Sequence, residues 1–302
     1  MKSTFKPLGT RQNFLAIDRE HSSFDSSKIV VLPVPYEHSA GSPTGAKRGP
    51  QAILSASHDL EVFDEETKRE IPKEFGIATL SPIDFAGKKT EAALQLIHES
   101  VLSLIGLNKF VVTLGGEHTI TSAAIAAFAK KLDNLSVLQF DAHSNLRNDY
   151  RGDKYSDGCV MARVCEFLDP SRLVQVGIRS QSREEAEFIR DANVSIFYAH
   201  DIRGGTYTKL LKYWDDVVVD RLTENVYVTF DLDAFDPSIM PSTNLPEPNG
   251  LFWIEVMRCL KKVGKKRTIV GFDVVELAPI QNLRFPEIAA AKLVLKMLNY
   301  AL

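Results

Sequence analysis

A chain of 302 residues with 44% hydrophobic content can bury a sizeable core and fits one large α/β domain or two small ones. The formal net charge of −3, with acids and bases interspersed, leaves no basic stripe for nucleic acid. No apolar run approaches a membrane span, and the polar N-terminus has no apolar signal core. Cys159, Cys165 and Cys259 form no CxxC, which predicts reduced thiols in a cytoplasmic protein.

In chain order, residues 1–27 read as a polar, irregular N-terminal extension. From Ile29 on, apolar runs alternate with helical patterns. The runs 29–34, 109–114, 135–141, 172–178, 194–198, 225–231 and 267–273 predict strands. Helical patterns fall near 50–58, 88–106, 118–131, 158–168, 183–190, 205–214, 252–263 and 286–299. The basic residues Lys261, Lys262, Lys265, Lys266 and Arg267 fit the solvated end of a helix before a strand. Most of the strands are nearly all apolar, as expected when helices cover both faces of a sheet. The expected fold is therefore one three-layer α/β domain over 1–302, with a doubly wound, mostly parallel sheet. Such sheets bind ligands beyond the carboxyl ends of their strands.

Three strand ends carry chemistry. Val111–Leu114 leads into Gly115-Gly116-Glu117-His118. Leu135–Leu138 leads into Gln139-Phe140-Asp141-Ala142-His143-Ser144-Asn145. Val226–Thr229 leads into Phe230-Asp231-Leu232-Asp233. In extended chain alternate residues point the same way, which predicts one shared face for Asp141, His143 and Asn145, and another for Asp231 and Asp233. A lone Asp-x-Asp after a strand is most often a turn or a helix cap. Several carboxylates and imidazoles converging from separate strand ends are instead costly to hold together without a cation. Oxygen ligands with added nitrogen suit manganese or another divalent first-row metal. His38, His58, His98 and His200 have no partner motif and read as surface or core histidines. Asp273 and Glu276 are open between supporting a ligating histidine and capping. Arg179-Ser180 is open between lining the pocket and pairing with acids.

With these motifs in their order, the chain resembles the ureohydrolase family of arginases and agmatinases. The likeness runs through Pro33-Val34-Pro35-Tyr36, Gly45–Ile53, Gly115–His118, Asp141-Ala142-His143-x-Asn145, Thr229–Pro237, Pro246-Glu247-Pro248 and Gly271–Glu276. It covers roughly 28–300 and is closer to the agmatinase branch. The resemblance implies two manganese ions, with His118 on the first, Asp141 and Asp231 bridging, and His143 and Asp233 completing the second. It implies attack by metal-activated hydroxide on a guanidinium carbon, most simply agmatine giving putrescine and urea. Glu247 matches the position that faces the guanidinium. Self-association as a homotrimer or homohexamer is implied as well, with a small guanidino substrate as the partner and neither nucleic acid nor membrane.

Two residues depart from the family pattern. Asn145 stands where the resemblance calls for a third aspartate on the first metal, so a neutral amide replaces an anionic ligand. Asp157, in Tyr155-Ser156-Asp157-Gly158-Cys159, stands where the family usually carries a proton-shuttling histidine, and an ordinary aspartate is a poor acid at neutral pH. Thr229, Asn244 and Leu245 also differ from the small residues expected. These departures keep two alternatives open: a ureohydrolase-like scaffold that has lost turnover, and a one-metal amidohydrolase using Asp141, His143 and Asp233, as in the related deacetylases of this fold.

Overall fold

The computed structural model describes residues 5–38, 45–204 and 213–302. Eight strands are present: β1 (Ile29–Val34), β2 (Ile77–Thr79), β3 (Phe110–Gly115), β4 (Leu135–Phe140), β5 (Leu173–Ile178), β6 (Ser195–Tyr198), β7 (Asn225–Asp231) and β8 (Thr268–Val275). They form one sheet in the order β2-β1-β3-β8-β7-β4-β5-β6. Every pairing between these strands is parallel. The β-branched composition of β1, β3 and β7 suits a sheet buried on both sides. Alternation sorts their side chains into two cores: Ile29 and Val31 belong to one, Val30, Leu32 and Val34 to the other.

The observed strands follow the sequence expectation closely, except for β2. That three-residue edge strand is too short for a periodic signal. It is completed by the N-terminal segment, which was expected to be irregular. Leu8 N donates to Thr79 O at 2.8 Å. The buried Asn13 side chain donates to Ile77 O at 2.9 Å and accepts from Thr79 N at 2.7 Å.

The longer helices Gly49–Ser57, Thr90–Gly106, Ile120–Ala129, Arg183–Asp191, Trp253–Lys266 and Phe285–Ala301 lie where helical periodicity placed them. The pattern at 158–168 gives only the short helix Val160–Val164 after a 3₁₀ turn. Of the helix expected near 205–214, residues 205–212 lie outside the described residues, and a helix begins at Trp214 and runs to Arg221. Arg183–Asp191 starts on a capping box, with Ser182 Oγ accepting from Glu185 N and Glu185 accepting from Ser182 N. Among the described residues, no helix is long and apolar enough to cross a membrane.

One buried charge group pins the last helix to the loop after Gly49–Ser57. Lys296, 4% exposed, reaches Asp64 Oδ2 at 2.8 Å and Glu66 Oε2 at 3.1 Å. Asp64 is fully buried, and the Lys296 contact is an ion pair without hydrogen-bond alignment. Burial raises the Asp64 carboxyl, but the Lys296 cation beside it and hydrogen bonds from Thr67 outweigh it and the net shift is downward. Hydrogen bonds from Lys261 and Tyr300 hold Glu66 down to about 2. Depressed carboxyls stabilise the fold above their ordinary range and lose that contribution as pH falls through it. Lys296→Met should therefore cost about 3–5 kcal/mol at neutral pH, because Asp64 stays buried without a cation. The gap to the parent should close as pH falls from 4.5, the ordinary value for Glu66, towards 2. Urea denaturation across that range checks this, and a pH-independent gap would contradict it.

Candidate metal centre and substrate cavity

The centre of the sheet sets the position of the site. β3 and β4 are consecutive in sequence, yet β8 and β7 lie between them. Helices leaving β3 and β4 therefore diverge and leave a crevice at the carboxyl ends. His118 follows β3, Asp141 follows β4, Asp231 closes β7 and Glu276 follows β8. Gly116 packs against the Tyr36 carbonyl so closely that a Cβ has no room. That contact fixes the Gly-Gly turn that delivers His118, whose backbone N–H donates to Glu276 Oε1 at 2.6 Å.

Among the described residues, two triplets could each hold a metal ion: His118, Asp141 and Asp231, and then Asp141, His143 and Asp233. His118 Nδ1 lies 3.1 Å from Asp141 Oδ2 and 3.3 Å from Asp231 Oδ2. His143 Nδ1 lies 2.8 Å from Asp233 Oδ2 and 3.6 Å from Asp141 Oδ1. The three carboxylates are almost fully buried. Burial, together with the charges of Asp233 and Asp141, pushes the Asp231 carboxyl well above the usual range. Burial works against charge on His143, but Asp141 and Asp233 push it up to about 12. Among the described residues, the imidazoles and the nearby Arg179 guanidinium offset this anionic charge. The donor set, hard oxygens with one imidazole in each triplet, fits divalent ions.

The residues converge as expected, though by a different route. β4 ends at Phe140, so Asp141, His143 and Asn145 lie in the loop after it, where His143 makes a parallel bridge to Ser180 and Asn145 has φ 53°. Asp231, the last residue of β7, accepts from Asp233 N at 2.9 Å and caps the 3₁₀ turn Leu232–Ala234. The loop after β4 and the 3₁₀ turn after β7, and not continued strands, bring both sets together. The capping role and the cluster role coexist in Asp231.

Asn145 reaches the first triplet with its amide nitrogen turned inward. Nδ2 donates to Asp141 Oδ2 at 2.8 Å and lies 3.2 Å from His118 Nδ1. The far side of His118 is held by a relay that the sequence reading had not assigned. His118 Nε2 is 3.0 Å from Thr229 Oγ1, and Thr229 donates to Asp273 Oδ1 at 2.7 Å. Tyr227 and Thr121 donate to the other Asp273 oxygen. Since the Thr229 hydrogen goes to Asp273, its oxygen accepts from His118 Nε2–H. That bond orients the ring with Nδ1 towards the carboxylates. Asp273 is thus a supporting acceptor, and Thr229 supplies the hydroxyl between. Gln139, fully buried on β4, donates to Asp141 Oδ2 at 2.7 Å. The signal for both residues was a polar side chain two positions before a cluster aspartate in an otherwise apolar strand.

Glu247 Oε1 lies 3.8 Å from His143 Nε2. Its loop is tied down by Arg179, which resolves the question left open for that residue. Arg179 lines no acid pair. Its fork donates to the backbone oxygens of Asp233 at 2.7 Å and Glu247 at 2.8 Å, and also to those of Gly177 and Pro248. Asp157 lines the same cavity of about 420 Å³, accepting from Ser156 Oγ and Gly158 N. Asn244 donates to Glu276 Oε2 at 3.1 Å, and Leu245 lines the cavity. His38 lies outside it, bonded to Asp153 and Thr90. His58, His98 and His200 also lie outside.

A parallel sheet with paired metal-capable triplets beyond its central strands fits the class of metal-dependent hydrolases. The comparisons carry that further. A model of the Arginase family matches residues 27–299, and the chain belongs to that family, whose members are metal-dependent. An N(1)-aminopropylagmatine ureohydrolase of Thermus thermophilus is 37% identical over 282 residues, covering 93% of this chain and 92% of its own. The agmatinase of Bacillus cereus is 30% identical over 93% of this chain and 94% of its own. Among solved structures, the agmatine ureohydrolase of Thermoplasma volcanium superposes with a TM-score of 0.84 at 29% identity, over 96% of this chain and 94% of that one.

The Arg179 fork predicts a separable positioning effect. Arg179→Lys keeps the charge but cannot serve the two loops together. It should lower stability by roughly 2 kcal/mol, the scale of charged hydrogen bonds lost from buried carbonyls. In a turnover assay it should raise KM more than it lowers kcat, because the Glu247 loop loosens. Unchanged melting and kinetics would show the fork to be dispensable.

Proposed function

We propose that this chain hydrolyses a guanidino compound to urea and an amine. Two manganese ions would be held by His118, Asp141 and Asp231, and by Asp141, His143 and Asp233. The observation that carries the reading is the pair of triplets sharing Asp141, with Glu247 set beside His143. The ions would supply the Lewis acidity that makes water a competent nucleophile at neutral pH. The protein's own groups do the rest. Glu247 accepts paired N–H donors of the guanidinium and orients its carbon, while Arg179 keeps that carboxylate's loop in place. The Thr229–Asp273 pair holds His118 in one tautomer. Asn145 steadies Asp141 through its amide hydrogen but adds no charge. Asp157, in the position of the usual histidine, is the side chain available to pass a proton to the leaving amine.

The names of the relatives make agmatine the first substrate to test. We further propose a single domain spanning the chain, a homotrimer or homohexamer as the assembly, and the cytoplasm as the location. Both triplets are intact, which favours a working hydrolase over an inert scaffold or a one-metal amidohydrolase.

Purified with manganese, the parent should release urea from a guanidino substrate. Asp231→Ala should lose most of its metal, because that carboxylate stands beside the shared Asp141. Unchanged metal content per chain would reject the ligand assignment. Absence of urea from every guanidino compound tried would reject the reaction.

The two departures predict a coupled gain. Asn145→Asp adds an anionic ligand and should lower the manganese concentration needed for turnover. Asp157→His should raise kcat by up to roughly 10²–10⁴-fold, the range of general acid–base help. An active parent that loses activity in both variants would show that these residues are adapted to their present roles.

A further inference from the structure

We infer that the far end of the substrate is anionic, and that Arg147 and Arg151, on either side of Tyr150, select it. This rests on the guanidino-hydrolase reading above and specifies the half of the substrate that reading leaves open. All three residues line the cavity that also contains the metal-capable cluster. The Arg147 and Arg151 guanidinium carbons lie 5.3 Å and 5.1 Å from the Tyr150 ring centroid. The rim that carries them is built tightly. Tyr150 and Asp153 exchange backbone hydrogen bonds of 3.1 Å, and Arg151 and Gly152 between them have φ 55° and 85°. Two central residues at positive φ make a hairpin turn of the type I′ kind, so the rim is preformed.

The loop from Leu146 to Gly158 is mixed in charge, but the fold sorts its charges. Asp149 accepts from Gly152 N at 2.7 Å. Asp153 is bonded to His38 Nε2 at 2.6 Å and accepts from Tyr155 N at 2.8 Å. Neither of these two aspartates lines the cavity, whereas both arginines and Asp157 do. Arg147 Nε lies 3.7 Å from Glu185 Oε2, beyond a good hydrogen bond. The Glu185 oxygens already accept from Leu146 N and Ser182 N. Among the described residues, Arg147 has that longer ion pair but no hydrogen bond from its guanidinium, and the Arg151 guanidinium has neither. The open Arg151 fork and the terminal nitrogens of Arg147, set on a fixed aromatic, suit a planar anion such as a carboxylate.

One of the cavity's acids, Glu185, sits against Arg147 and is already paired with it, and others lie at the metal-capable cluster. Glu247 is beside His143, and Glu276 is bonded to His118 N. Asp157 is close enough for its charge to act on Glu276. A ligand with a guanidinium at the metal centre and a carboxylate at the rim meets opposite charge at both ends. An amine-tailed ligand such as agmatine brings its ammonium to two guanidiniums, where like charges repel.

The test compares 4-guanidinobutanoate with agmatine on the manganese-loaded protein, by urea release and by calorimetric binding, for the parent, Arg151→Glu and Arg147→Gln. Arg151 is exposed on the turn, so its variant should melt as the parent does. The parent should favour the carboxylate compound in kcat/KM by about 10-fold or more, the scale of one charge-assisted hydrogen bond. Each variant should shrink that ratio, mainly through KM, and Arg151→Glu most. If the parent turns over agmatine better, or the ratio ignores both variants, the tail assignment falls while the reaction stands. If no urea appears from either compound, the reaction falls, and the tail assignment is decided by binding. Tighter binding of the carboxylate compound, lost in Arg151→Glu, upholds it, and equal or absent binding overturns it.

Discussion

Asp141 is the group on which the site depends. It is fully buried, and it is the carboxylate common to both metal-capable triplets. Buried anions are tolerated only when hydrogen bonds and opposite charge surround them. Asp141 gets both: His143 N on one oxygen, Gln139 and Asn145 on the other, and His118 within 3.1 Å. Gln139 is held in turn by Gln175, whose amide bridges Gln139 Oε1 and the Ser144 carbonyl at 2.7 Å each. A polar network therefore runs through the middle of β4 and β5, where apolar packing would stabilise the fold more simply. Its members make sense only in support of the carboxylate above them.

The sheet explains how these groups meet. Parallel pairing brings the carboxyl ends of β3, β8, β7 and β4 together as neighbours, although the residues following them are far apart in sequence. Each strand end contributes one part. β3 brings His118, β8 the Glu276 that receives its backbone N–H, β7 the Thr229 hydroxyl and Asp231, and β4 the shared carboxylate. The rigid support lies in the strands, and the metal-capable atoms sit at their ends or in the segments just past them. Positive φ at Asn145 and Glu276 shows where the backbone bends to deliver them. Asparagine accepts that conformation more readily than most residues, whereas for glutamate it costs more and is retained by the two bonds its carboxyl makes.

Much of this was legible in the sequence, for identifiable reasons. Long apolar strands bounded by Gly, Asp and Asn gave the parallel sheet, and the motifs at their ends gave the cluster. β2 stayed hidden because a three-residue strand has no period, and because Asn13 from far upstream completes it. The assumption that Asp231 and Asp233 share an extended face did not survive, since a 3₁₀ turn intervenes. Arg179 was undecidable because its partners are backbone carbonyls, which leave no mark in side-chain identity. Thr229 could have been inferred: a hydroxyl two residues before a cluster aspartate lies on the same strand face.

The departures at Asn145 and Asp157 change meaning once the loop between them is seen as one structure. Asn145 N-terminally and Asp157 C-terminally bracket the segment that carries Arg147, Tyr150 and Arg151. Asn145 also binds the far end of that segment, accepting through its backbone oxygen from Met161 N at 2.9 Å, while Arg147 N donates to Gly158 O at 3.2 Å. The loop is thus closed on itself at its base. Asn145 reaches Asp141 in the metal-capable cluster, and Asp157 and the two arginines line the same cavity. Against the family pattern, asparagine at 145 removes a negative charge at the base of the loop and aspartate at 157 adds one, so the two departures offset each other in net charge. What changes is which side chain carries the charge: the amide at 145 donates to Asp141, and the carboxylate at 157 lines the cavity instead. A paired exchange within one closed loop keeps the total charge while redistributing the field that a substrate meets.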